Sequence, residues 1–244
     1  MTRPRHHKSE NTSRRWHHAT AWALACAVLV LMLWGQRWTV GSDPWSARIY
    51  GWAAPIIFAL CAALVTCTSP RWRDRVANKR HPAAGRLRWL SSAATLGIYV
   101  EIVLGVQLGH VPADWSPGAF QLTVWLHLAV GGIVAIAAVW LVVSSVRRFG
   151  EEPAVVGRAG LLMVLLVIQV VLCAAAWVTS YGRPAWFTDY VWEIAYTVVA
   201  EGRLQALATT GAVAAGWLNL GVSLSLAMWF WRLVREKTPV PSGR

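Results

Sequence analysis

Charge and thiol chemistry are both sparse in this chain. Only 14% of its 244 residues are charged, acidic residues number 11, and there are four cysteines. Cys26, Cys61, Cys67 and Cys173 all lie within or beside apolar runs, and none has the CxxC or Cys/His spacing of a zinc site. That pattern excludes a disulfide framework and reads as small buried side chains. A sequence with 56% hydrophobic residues and so few charges is also a poor candidate for a soluble globular protein.

What is abundant is long apolar runs. A bilayer core of roughly 30 Å takes about 20 apolar residues of helix. Six stretches meet or approach this: Ala19 to Gly35, Ile49 to Thr68, Trp89 to Leu108, Phe120 to Val146, Ala159 to Ser180 and Leu204 to Trp231. The expected fold is all-α and polytopic, with six transmembrane helices. Its parts are a basic leader (1–18), a two-helix hairpin (19–68), a basic loop (69–88), a duplicated four-helix bundle (89–231) and a tail (232–244). A basic stretch with the Arg14-Arg15 pair precedes the first run as in a signal peptide. No small-residue cleavage site follows Trp34, so this run reads as an uncleaved first span.

Nineteen of the 23 Lys/Arg lie in the leader, the 69–88 loop, the 147–158 loop and the tail; Arg37, Arg48, Arg183 and Arg203 are alone on the other side. The positive-inside bias puts both termini in the cytoplasm of an inner or plasma membrane protein. The net charge of +12 is therefore mainly a topology signal, with anionic lipid as the natural contact for Arg71, Arg73, Arg75, Lys79 and Arg80. Nucleic acid is not an expected partner, since no stacking platform or reader motif accompanies the charge. The His6, His7, His17 and His18 pairs read as part of a solvated basic leader. Seventeen tryptophans fit an interfacial belt: Trp38, Trp45, Trp52, Trp115, Trp186 and Trp192 outside, Trp16, Trp72, Trp89, Trp229 and Trp231 inside.

Polar residues inside the spans are costly, so they point to function or pairing. Glu101, His127 and Gln169 are the notable ones. At 1.5 Å per residue, His127 lies roughly 10 Å below the outer boundary, Glu101 and Ala212 roughly 12 Å, and Gln169 slightly deeper. The segments around Glu101 and Gln169 each give a Val-Leu-small step, and the descending helices read His127-Leu-Ala-Val-Gly-Gly132 and Ala212-Val-Ala-Ala-Gly-Trp217. Spans three and four thus look duplicated as spans five and six. Such a layer in a four-helix bundle can hold a cofactor. For Glu101 a proton-handling role competes with an interhelical hydrogen bond to Gln169 or His127. His127 is either a ligand of such a cofactor or a histidine bonded to a neighbouring helix. His110 either faces the cofactor's polar edge or caps its loop.

Tyr99-Val-Glu-Ile-Val-Leu-Gly-Val-Gln-Leu-Gly-His110-Val-Pro, with Trp125-Leu-His127-Leu-Ala-Val-Gly behind it, carries a family resemblance. So do Gln169-Val-Val-Leu, Ser180-Tyr-Gly-Arg-Pro-Ala-Trp-Phe187 and Leu204-Gln-Ala-Leu207-Ala-Thr-Thr210. From about Leu96 to Trp231 the chain resembles the carboxy-terminal half of the haem A synthase family, membrane oxidoreductases that make haem A for cytochrome oxidase. The resemblance implies haem as cofactor, His127 as its metal ligand, and His110, Glu101 and Gln169 at the site. Partners implied are the bilayer, cytochrome oxidase assembly proteins or another membrane chain. The sequence departs from the family where a second axial histidine belongs, at Ala212, and span two contains no histidine. Only two spans precede the matching region, where the family has four. A single protein axial ligand, and with it either residual haem handling or a non-catalytic scaffold or assembly role, is the resulting expectation.

Overall fold

The computed structural model describes residues 44–74, 84–111, 114–182 and 202–234, and all its regular structure is helical. Five long helices and one short one follow in order: α1 (Pro44–Thr68), α2 (Pro70–Asp74), α3 (Ala84–Gly109), α4 (Pro117–Phe149), α5 (Pro153–Tyr181) and α6 (Arg203–Val234). All but α2 are long and apolar enough to cross a membrane. This is a helical, multi-pass membrane protein. The run from Ala19 to Gly35, expected as a first span, lies outside the described residues.

Local chemistry explains why the helices overrun the apolar stretches. Pro117 and Pro153 occupy the first turns of α4 and α5, where a missing N–H costs nothing and the fixed φ is already helical. Ser116 caps α4 by accepting from the Ala119 amide at 3.2 Å. At the other end of α5, Gly182 takes φ 81° and donates its amide to Val178 O at 3.0 Å, a left-handed closure that glycine adopts without a Cβ penalty. Ser69 joins α1 to α2, donating to Thr66 O and accepting from the Trp72 amide.

Side-chain contacts give the helix directions. Thr95 meets Ser223 and Ile102 faces Gly216, so α3 and α6 are antiparallel. Gly97 faces Val134 and Gly105 faces His127, making α3 and α4 antiparallel. Arg158 meets Ser225 while Leu172 meets Gly211, which makes α5 and α6 antiparallel too. α1 runs alongside α6 in the same direction, with Phe58 and Ala62 at Gly221 and Thr66 at Ser225. All the described basic connections therefore gather at one end, and Arg48, His110 and Tyr181 lie at the other.

The core is organised around α6, which packs on α1, α3 and α5, whereas α4 packs on α3 and α5. α6 has thirteen buried residues against four in α5, and that asymmetry accounts for its composition. Lipid provides no hydrophobic force between helices, so close contact comes from small residues and interhelical hydrogen bonds. On α6 these are Gly216, Gly221, Ser223 and Ser225: Ser223 pairs with Thr95 at 2.7 Å, and Ser225 accepts from both Thr66 and Arg158 at 2.8 and 2.7 Å. The outward faces carry exposed leucine, isoleucine and valine, including Leu122, Ile133, Ile136, Val164 and Val171, as lipid contact requires.

Candidate functional site

On α3, Gly97, Glu101 and Gly105 recur every four residues and so form one stripe facing α4. A Cβ at Gly97 would come within 2.8 Å of Val134, and one at Gly131 within 2.9 Å of Glu101 Oε1. The absence of side chains at these glycines is what lets the Glu101 carboxylate lie across α4. There His127 Nδ1 stands 3.1 Å from Glu101 Oε1. The geometry falls short of a hydrogen bond, so the contact is one of proximity, and Glu101 Oε2 has no partner among the described residues. The two side chains are 16% and 20% exposed, which shields the pair without sealing it.

An imidazole whose Nδ1 faces a carboxylate has Nε2 on the opposite edge of the ring. Metal-ligating histidines commonly donate their other ring N–H to a carboxylate, which fixes the ring, and the Glu101–His127 contact approaches this pairing without making the bond. Among the described residues, no group of three His, Cys, Asp or Glu side chains forms a metal cluster.

The second helix pair repeats the register with different polar groups. Gln169 lies over Gly216, where a Cβ would meet its Nε2 at 3.3 Å and its Oε1 at 3.6 Å. Gly216 follows Ala212 by four residues, as Gly131 follows His127. Gln169 is not left waiting for a ligand at Ala212. It accepts from Asn219 Nδ2 at 2.7 Å, and Asn219 is fully buried with Oδ1 unbonded.

Of the four residues expected at the site, Glu101 and His127 come together, Gln169 belongs to the adjacent helix pair, and His110 stands apart. His110 is exposed at the end of α3, its Nδ1 3.1 Å from Val106 O of its own helix. Its carbonyl accepts from the buried Arg48 Nε and Nη2 at 3.1 and 2.7 Å, which ties α1 to the end of α3. The motif from Ser180 to Phe187 is described only as far as Gly182, and the paired histidines of the leader fall outside the described residues.

Sequence reasoning passed over Asn219, Arg48 and the Thr66–Ser225–Arg158 chain. The spacing of Gly216, Asn219 and Ser223 by three and four was the available signal for Asn219, because it marks one polar, small face on an otherwise apolar helix. One expectation needs correction. Trp229 is not an interfacial belt residue: it is 1% exposed, packed edge-on to Trp72 at 5.2 Å, with the Arg158 guanidinium over its ring. Compared with protein-family models, curated proteins and solved structures, the chain matches none.

Proposed function

We propose that α3 to α6 form a haem A synthase-like four-helix bundle whose α3–α4 half carries a single-histidine haem site, in a protein of haem handling or cytochrome oxidase biogenesis. Both termini face the cytoplasm in this reading, which rests on the clustering of basic residues at one end. The observation that carries the haem assignment is the Glu101–His127 contact at 3.1 Å. His127 would hold the iron through its imidazole, with Glu101 beside the ring at Nδ1. Ala212 offers no second bond. A bound haem would supply a redox-active iron; Gly131 leaves room for the Glu101 carboxylate beside His127, and Gly105 brings α3 close to the imidazole ring.

Haemin titrated into the detergent-purified chain is expected to give a five-coordinate, single-histidine spectrum. The His127→Ala variant loses that spectrum, and Glu101→Gln alters it without abolishing uptake. A spectrum unchanged in His127→Ala contradicts the assignment. A second reading, a scaffold or assembly subunit without haem, draws on the Gln169–Asn219 bond, which satisfies the other half of the layer internally. Absence of haem uptake by wild type would favour it.

A further inference from the structure

Three arginines at the basic end stack on tryptophan rings, and they differ in what their N–H groups meet. Arg158 lies 5.2 Å over Trp229 and donates to Ser225 Oγ and to Ala154 O, both at 2.7 Å. Arg232 lies 4.5 Å over Trp72 and donates to the Trp72 carbonyl. Arg88 lies beside a pair of indoles, 4.6 Å from the Trp231 centroid and 5.5 Å from that of Trp89, and has no acceptor among the described residues. Its Nε is shielded from solvent without a hydrogen-bond partner, and no carboxylate among the described residues pairs with it. Stacking on a ring face attracts the cation but does not satisfy N–H donors.

The surroundings ask for negative charge. α3 begins four residues earlier with no acidic residue in its first turn, so Arg86 and Arg88 add to the positive end of the helix dipole. The indoles beside Arg88 face outward, Trp89 being 60% and Trp231 40% exposed, in edge-to-face contact at 5.1 Å. Trp231 is held there by its Nε1, which donates to Ser92 Oγ at 3.0 Å. A guanidinium without an acceptor among the described residues, beside two exposed indoles at the end of membrane-crossing helices, matches the headgroup layer. There a phosphate can take the N–H bonds while the indoles meet the glycerol and upper acyl region.

We propose that Arg88, beside Trp89 and Trp231, binds the phosphate of an anionic phospholipid at the basic end of the protein. The missing acidic neighbour favours an anionic headgroup over a zwitterionic one, whose ammonium would find no counter-charge beside Arg88. Native mass spectrometry of the full chain, titrated with phosphatidylglycerol or phosphatidylcholine, tests this. Wild type is expected to retain phosphatidylglycerol preferentially, and Arg88→Gln to bind it about tenfold more weakly, the loss of one charge-assisted contact. Arg88→Lys, which keeps the charge but not the planar stack, falls between them.

Should Arg88→Gln not yield monodisperse protein, Trp231→Leu removes the stack while keeping the charge, and a drop of about threefold is expected. Equal retention of phosphatidylcholine, or wild-type binding by Arg88→Gln or by its Trp231→Leu substitute, overturns the proposal. Displacement of the lipid by millimolar inorganic phosphate also overturns it, by assigning the site to a soluble phosphate compound.

Discussion

The α3–α4 and α5–α6 pairs meet in one register but settle their polar residues differently. In each, a long polar side chain from the first helix, Glu101 or Gln169, lies over a glycine of the second, Gly131 or Gly216. In the first pair the partner is His127, four residues before the glycine; in the second it is Asn219, three residues after. The polar contact has thus moved from one side of the glycine to the other, and the position matching His127 holds Ala212. The contrast extends to burial, since His127 keeps some exposure whereas Asn219 has none. A glycine contact fixes how closely two helices approach, while the residues beside it decide whether the gap is open to a ligand or closed by an internal bond.

The strongest way to break this comparison is to fill the glycines. Gly216→Leu is expected to destabilise the protein by about 3 kcal/mol, because the position is buried between Gln169 and Ile102. Gly131→Leu meets only the movable end of Glu101 and should cost about 1 kcal/mol. Steric-trapping measurements in bicelles giving equal costs would remove the distinction between an open and a closed pair. Asn219→Leu comes next, at about 1 kcal/mol, with a Gln169/Asn219 double-mutant cycle returning a coupling of roughly 0.6 to 1.7 kcal/mol. Zero coupling would mean that the bond does not hold the second pair together. The smallest effect belongs to Ser180→Ala, which removes the acceptor of Gln205 Nε2 at the end of the same pair and should cost less than about 0.5 kcal/mol by the same assay.

Spans two to six were legible because hydrocarbon thickness imposes a run length that composition must satisfy. Their ends were less so: Pro117 and Pro153 start helices outside the apolar run, since capping chemistry rather than hydropathy sets the boundary. Glu101 and His127 stood out because ionisable groups are rare at that depth, and depth counting brought them to one level. The partner of Gln169 was hidden. Asn219 lies seven residues beyond Ala212, and only the interhelical register brings its amide to Gln169. Arg158 and Trp229 were hidden for the same reason, since position near a span end does not reveal that a side chain turns inward to Ser225 or Trp72.

The central claim is that the two helix pairs are versions of one site, with the axial position kept at His127 and lost at Ala212. The most direct measurement is the visible absorption spectrum of the haemin-loaded Ala212→His variant beside wild type. The account predicts conversion from a five-coordinate to a six-coordinate, low-spin bis-histidine spectrum, reversed when His127→Ala is added. A variant spectrum identical to wild type, or a bis-histidine spectrum already present in wild type, would contradict it.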